Sequence, residues 1–440
     1  MSSAPLGERM ISRRRFLAGS GTTAAGRFVL SSRLRAEPGQ ADLPHLPESI
    51  TKLQSRKTEA KPISLLEREE RQERARELMR DNSLDAIVLT EGTSLRYFTG
   101  VRWWGGERLF AFVLPAKGKA FYVCPEFEEG RAREQLSNAP GGEAPYVRTW
   151  QEDYDPYLRM AEALKDQGIS GGRLGIEETV RFVFSDGIRN AVPQATLTSA
   201  TPVTAGCRMI KSANEIALMR LASQVTLSVY EAVYRSLHEG MTQEDVGKLI
   251  DEAYSRVGFP GDASVMIGEY TALPHGSRTP QVIREGSIIM LDDGCNVEGY
   301  LSDITRTFVL GKPSGKMKQL FDIVHRAQSA ALATARPGLE CAAVDAAARK
   351  VITDEGYGPD YKYFAHRVGH GLGMDMHEWP YLVRGNKTKL LVGMTTSDEP
   401  GVYLPGEFGI RLEDDMHITE NGAELFTPQS PSLEDPFGHA

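Results

Sequence analysis

The chain is poor in cysteine. Its 440 residues hold four, Cys124, Cys207, Cys295 and Cys341, with no CxxC pair. That excludes a disulfide scaffold and a zinc–thiolate finger, and leaves small buried thiols as the expectation. No apolar run approaches the ~18 residues of a membrane-spanning helix, so no span is expected. Lysine and arginine total 51 against 59 acids, a net charge of −8, the wrong sign for a nucleic-acid footprint. Short-period repeats and low-complexity blocks are missing too, which excludes solenoids and collagen-like chains. What remains is ordinary globular material, 41% hydrophobic and 25% charged, long enough for two or three domains.

Charge is unevenly spread. Residues 1–36 hold seven arginines, no lysine and one acid, Glu8. Ser12-Arg13-Arg14-Arg15-Phe16-Leu17 matches the twin-arginine export pattern, and Ala36 is a small residue suited to precede cleavage. Arg27, Arg33 and Arg35 depart from the pattern by charging the approach to that point. Residues 1–36 are therefore expected to be a twin-arginine signal, placing the protein in the periplasm or outside the cell. If they are only a basic tail, it stays cytoplasmic. Residues 37–62, with Pro38, Pro44, Pro47 and Pro62, read as a linker or arm.

Residues 63–205 alternate helical and strand patterns, the signature of an α/β domain. Ser64-Leu65-Leu66-Glu67 is a capping box, and Asp85–Leu89, Leu109–Leu114 and Ala120–Cys124 read as strands. Residues 206–440 read differently. Ser212-Ala213-Asn214-Glu215 is a second capping box, and apolar residues recur at helical spacing from Glu215 to Leu237. Thr242 caps a helix to about Val257, strand signals fill 286–310, helices follow at 316–335 and 341–355, and strands return over 392–426. Helices followed by strands, twice, predict an α+β domain of two similar halves.

Five segments of that second domain concentrate acids and histidines. They are Pro274-His275-Gly276, Leu291-Asp292-Asp293-Gly294 with Ser302-Asp303 after it, His366-Arg367-Val368-Gly369-His370 with His377-Glu378 after it, Asp398-Glu399-Pro400-Gly401, and Arg411-Leu412-Glu413-Asp414. Asp292 and Asp303 can converge if they lie on adjacent strands. Carboxylates at this density raise one another's pKa unless a cation offsets them. An oxygen-rich set with one imidazole suits Mn²⁺, Fe²⁺, Co²⁺ or Zn²⁺. Four or five ligands exceed the needs of one catalytic ion, and bridging carboxylates around two ions about 3.5–4 Å apart fit better.

These motifs resemble the M24 metallopeptidases of the pita-bread fold, such as aminopeptidase P and prolidase. Leu95-Arg96-Tyr97-Phe98-Thr99-Gly100-Val101 carries a further likeness to their creatinase-type N-terminal domain. The resemblance implies an α/β N-terminal domain followed by an α+β pita-bread catalytic domain. It implies two divalent ions, Mn²⁺ foremost, held by Asp292, Asp303, His370, Glu399 and Glu413, with Asp303 and Glu413 bridging. It makes Glu399 the general base as well. His366 and His377 would hydrogen-bond substrate and stabilise the oxyanion, His275 would shape the proline-side pocket, and Arg411 would orient Asp292. Arg384 is a weaker candidate for holding a substrate carboxylate. Asp293 stands where relatives carry a small or apolar residue.

The implied activity is hydrolysis of the bond between an N-terminal residue and a following proline in small peptides, by a homodimer. Two alternatives stay open at this point. One is another enzyme on the same scaffold, a dimethylsulfoniopropionate lyase or a creatinase-like amidinohydrolase. The other is a binding module without catalysis. Creatinase lacks the metal set, and binding modules lose ligands, whereas this sequence keeps all five.

Overall fold

The computed structural model describes residues 46–141 and 144–438. The twin-arginine segment and the first part of the arm lie outside the described residues. The remainder of the arm is packed rather than free. Glu48–Thr51 forms a helical turn, Ile50 is buried, and Ser49 Oγ donates to the Ala232 carbonyl at 2.8 Å.

The N-terminal domain is built on a six-stranded mixed sheet: β1 (Ala86–Leu89), β2 (Ala111–Pro115), β3 (Phe121–Pro125), β4 (Tyr146–Trp150), β5 (Gly172–Ile176) and β6 (Ala195–Ser199), in the order β4-β3-β2-β1-β5-β6. β1 runs antiparallel to β2 and parallel to β5. Alternate side chains of a strand point to opposite faces, and both faces here are covered. Ile87, Leu89, Phe112 and Leu114 pack with Met79 and Phe98 on one side. Ala86, Val88 and Val113 pack with Met160, Leu164 and Ile188 on the other.

The catalytic-side domain carries two helix pairs. Ala213–Tyr234 and Gln243–Val257 cover a sheet of β7 (Ser264–Ile267), β8 (Ile288–Asp293) and β11 (Ile304–Val309), with β9 (Asn296–Val297) and β10 (Tyr300–Leu301) forming a small hairpin between β8 and β11. Gly315–Thr334 and Cys341–Asp354 cover the second set. That set contains β12 (Gly369–Gly371), β13 (Glu378–Leu382), β14 (Thr395–Asp398), β15 (Gly401–Leu404), β16 (Phe408–Arg411), β17 (Asp414–Thr419) and β18 (Gly422–Leu425). Five of them form a sheet in the order β13-β12-β14-β17-β18, and β15 pairs with β16. Two halves of helices and strands are thus seen, as the pattern predicted. Both expected capping boxes form, at Ser64 and Ser212, and the Thr242 cap proves to be a third, with Asp245. The four cysteines are free and buried. Among the described residues no helix is long and apolar enough to cross a membrane.

Two polar knots join these parts. Arg306 is fully buried and donates to Asp414 Oδ1 at 2.7 Å and to the carbonyls of Glu413 and Pro428, each at 2.8 Å. At the domain junction Arg208 contacts both Asp375 and Glu378, Lys211 donates to Glu378 at 2.6 Å, and Ser94 donates to Glu177 at 2.8 Å. Asp375 also takes a hydrogen bond from Thr93.

Removing one partner of a buried ion pair leaves an uncompensated charge. Arg306→Ala is therefore expected to destabilise the protein by roughly 3–5 kcal/mol, read as a lowered denaturant midpoint. A loss under about 1 kcal/mol would show that the knot is not structural.

Candidate metal centre

Strand alternation aims the acids. In β8, Ile289 and Leu291 join the helix-side core, so Asp292 projects from the opposite face. In β11, Ile304 and Phe308 face the helices, and Thr305 takes the other side, paired across the register from Asp292. Asp303 sits one residue before β11, fixed by its N–H donating to Asp415 Oδ2 at 3.0 Å. Ile410 and Leu412 are core residues, so Arg411 and Glu413 alternate toward the cleft, and the Glu413 N–H donates to the Thr305 carbonyl.

His370 arrives on β12, whose neighbours leave no room. A Cβ on Gly369 would lie 2.2 Å from the Ser397 carbonyl oxygen, and one on Gly371 2.3 Å from that of Trp379. The backbone shifts register between His370 and Gly371, and the His370 N–H donates to Ser397 Oγ at 3.1 Å. Glu399 follows β14, held by its N–H to the Val368 carbonyl.

The result is a cleft of ≈ 550 Å³ lined by all nine predicted site residues. His370 Nε2 lies 3.5 Å from Asp303 Oδ2 and 3.3 Å from Glu399 Oε1. Donor atoms of Asp292, Asp303 and Glu413 fall within 4.8 Å of one another, and so do those of His370, Glu399 and Glu413. Asp303, His370 and His377 make a third such set, and the His370 and His377 rings are 3.9 Å apart. Thr305 Oγ1 is 2.6 Å from both Asp292 Oδ1 and Glu413 Oε2. Arg411 contacts Asp292, donates to Thr305 at 3.0 Å and to the Tyr403 hydroxyl at 2.8 Å. His275 lies exposed at the cleft wall.

Electrostatics match this crowding. Burial, then the neighbouring acids, push Asp303 and Glu413 well above the carboxylate range. Burial likewise raises Glu399 to about 7 and Asp293 to about 6. His366 and His370 are pushed down to about 3, chiefly by burial, so both imidazoles are neutral, and that of His370 can serve as a ligand. Glu413 Oε1 is buried and has no hydrogen-bond partner. Repelling carboxylates, an orphaned carboxylate oxygen and a neutral imidazole are a donor set that fits divalent cations.

Several features depart from the sequence reading. Arg384 is outside the cleft, paired with Asp360 at 2.8 Å on the surface, because it follows β13 in a turn that faces away. Both ring nitrogens of His366 are engaged, Nδ1 with the Arg367 carbonyl at 2.8 Å and Nε2 with the Tyr403 hydroxyl at 2.7 Å. Asp293 does line the cleft, with φ at 134°. Tyr403 and Thr305 had no motif to mark them, and Arg367 stood inside one without being singled out. A Tyr three residues into a strand is usually core, and only the fold brings it to His366.

Residues 217–420 match metallopeptidase family M24, and residues 71–210 match the creatinase/prolidase N-terminal domain. The chain is 35% identical over 346 residues to a probable dipeptidase PepE of Mycobacterium tuberculosis, covering 78% of this chain and 90% of that protein. It is 30% identical over 360 residues to a Xaa-Pro dipeptidase of Pyrococcus horikoshii, covering 81% and 96%. Among solved structures, the dipeptidase PepE of Mycobacterium ulcerans superposes with a TM-score of 0.79 at 34% identity, covering 85% and 99%. The prolidase of Thermococcus sibiricus superposes with 0.74 at 30%, covering 82% and 96%. With five acid and histidine donors gathered in one cleft, His370 on a strand held tight by two glycines, and both domains matched, the chain belongs to metallopeptidase family M24.

Proposed function

We propose that the chain is a dinuclear metal-dependent hydrolase that cleaves Xaa-Pro bonds at the N-termini of small peptides. The observation that carries this is the convergence of Asp292, Asp303, His370, Glu399 and Glu413 on one cleft also lined by His275, His366 and His377. Relatives named Xaa-Pro dipeptidase, and a structure named prolidase, support the proline preference. Asp303 and Glu413 would bridge two divalent ions, Mn²⁺ foremost. Asp292 would hold one ion, and His370 and Glu399 the other. When bound, the ions supply Lewis acidity and lower the pKa of a water toward neutrality.

The protein's own groups do the rest. Glu399 lies in the cleft 3.3 Å from His370, where its carboxylate can take a proton and return it to the leaving imide nitrogen. Arg367 can only donate, so at 3.3 Å from Arg367 Nη2 the Nδ1 of His377 accepts, which places its proton on Nε2. That N–H can stabilise charge developing on the carbonyl oxygen. His366 donates from Nδ1 to a carbonyl, so its Nε2 accepts from Tyr403, whose hydroxyl accepts from Arg411. His366 thus holds Tyr403 at the cleft, and Arg411 orients Asp292.

One assay discriminates among the chemistries of this scaffold. Mn²⁺-loaded protein is expected to hydrolyse Ala-Pro or Ala-Pro-Ala and to leave dimethylsulfoniopropionate untouched; consumption of the last alone would refute the peptidase reading. Asp303→Ala and Glu413→Ala are each expected to lower turnover by at least about 10³-fold, the scale of losing a key electrostatic group. Circular dichroism should stay native-like, and elemental analysis should find less than two ions per chain. Wild-type turnover in either variant would remove these residues from the centre.

Chelation is expected to lower the melting temperature, because the cations relieve carboxylate repulsion. For the metal-free protein the raised carboxyls, Glu399, which moves from 4.5 to about 7 on folding, with Asp293, Asp303 and Glu413, outnumber the lowered imidazoles of His366 and His370, which act in the opposite direction. Between those values the folded state holds a proton the unfolded chain has released, so stability falls as pH rises from about 4.5 to about 7. A melting temperature that rises across that window would contradict the assigned crowding.

A further inference from the structure

The segment that delivers His366 to the cleft has no helix or strand of its own. It runs from the end of the helix Cys341–Asp354 to the start of β12 at Gly369. Carbonyls buried on such a segment need partners from elsewhere. They find them on that helix. Its inward face carries Val344, Ala348 and Ile352, and among these apolar residues stand Asp345 and Arg349, both buried. Arg349 Nε and Nη2 donate to the two carboxylate oxygens of Asp345 at 3.1 and 2.9 Å. The remaining N–H groups go to three carbonyls, those of Asp360 at 3.3 Å, Phe364 at 2.9 Å and His366 at 2.7 Å. All five donors of the guanidinium are thereby used. The group also lies over the Tyr361 and Phe364 rings, 4.4 and 4.2 Å from their centroids.

Asp345 serves the residues that follow. Its Oδ1 accepts from the Val368 N–H at 3.1 Å, and the Val368 carbonyl accepts from the Glu399 N–H at 2.8 Å. The pair thus holds the backbone of His366 directly and that of Glu399 through one residue. Neither Asp345 nor Arg349 lines the cleft. Arg384 pins the far end of the same segment, donating to the Asp360 carboxylate at 2.8 Å.

Energetics bear on what the pair is for. Replacing a buried ion pair by apolar side chains of similar volume is often neutral or stabilising. Filling the core would be met by a leucine and a methionine at these positions. An apolar pair could not reach three carbonyls and an N–H on a segment without regular structure. Misplacing a reacting group by about 1 Å through a remote change costs on the order of 10²-fold in rate.

We propose that Asp345 and Arg349 are positioning residues of the reaction, which fix from the helix where His366 and Glu399 stand in the cleft. The proposal rests on the hydrolase reading and adds to it two residues that do not touch substrate. A purely stabilising role for the pair predicts that any variant that keeps the fold keeps the wild-type kcat.

The test uses two substitutions that keep both charges of the pair. Arg349→Lys loses the fork, and Asp345→Glu moves the carboxylate by one methylene. On Ala-Pro, each metal-loaded full-length variant should lose about 10²-fold in kcat, with KM within about threefold and the melting temperature within about 4 °C of wild type. Lys350→Met, on the exposed side of the same helix, should match wild type throughout. A second measurement needs neither turnover nor metal. Hydrogen exchange of the metal-free protein should find residues 360–370 and the Glu399 amide protected in wild type and exchanging at least about tenfold faster in both variants, with the N-terminal sheet unchanged. Wild-type kcat in either folded variant would overturn the proposal; should one variant fail to fold, the other carries the comparison. A wild-type segment 360–370 that exchanges as fast as an unfolded chain would overturn it without any variant. If wild type cleaves no proline peptide, the hydrolase reading falls, and faster exchange confined to those residues still assigns the pair its hold on them. Unchanged exchange in both variants would remove that hold, whatever the enzyme cleaves.

Discussion

Mutual repulsion among buried carboxylates is the constraint around which this protein is organised. Asp303, Glu399 and Glu413 meet in the cleft, and Asp398, Asp414 and Asp415 lie directly behind them, all six with little or no solvent access. Burial pushes all six upward in pKa, and neighbouring acids add to it at all but Asp414, where Arg306 works against it. Such a cluster is compatible with a stable fold only when something offsets it. The chain uses three means. Arg306 neutralises Asp414 from inside the core, and Arg411 neutralises Asp292 at the rim. Asp415 is held by the Asp303 N–H and the Ser223 hydroxyl. The front acids are left to cations, which is the chemistry of the family.

The scaffold follows from where those acids must point. Each comes from a different strand or strand end, with apolar neighbours on either side committed to one of two helix pairs. The alternation of a strand then makes the polar face a single concave surface. His370 needs an additional device, because its strand lies between two others at a separation that only glycine permits on either side of it.

Much of this was readable in the chain itself, and the limits have physical causes. Helix starts were legible because a capping box is local: Ser212 and Glu215 hold each other across three residues. The donor acids were legible because their glycine-rich settings are equally local. Thr305 and Tyr403 were not, since their roles lie in contacts across 108 and 37 positions, to Glu413 and His366. Arg384 misled for the same reason. It stands between His377 and Glu399 in sequence, but nothing local says which way the turn after β13 projects.

The junction formed by Arg208, Lys211, Asp375 and Glu378 ties the segment carrying His377 to the N-terminal domain. His377 is two residues from Asp375 and one from Glu378. The first domain is thus not a passenger. It braces the wall of the cleft that carries His377. Grafting the second domain onto a foreign first domain would have to replace the Thr93 hydroxyl from which Asp375 accepts.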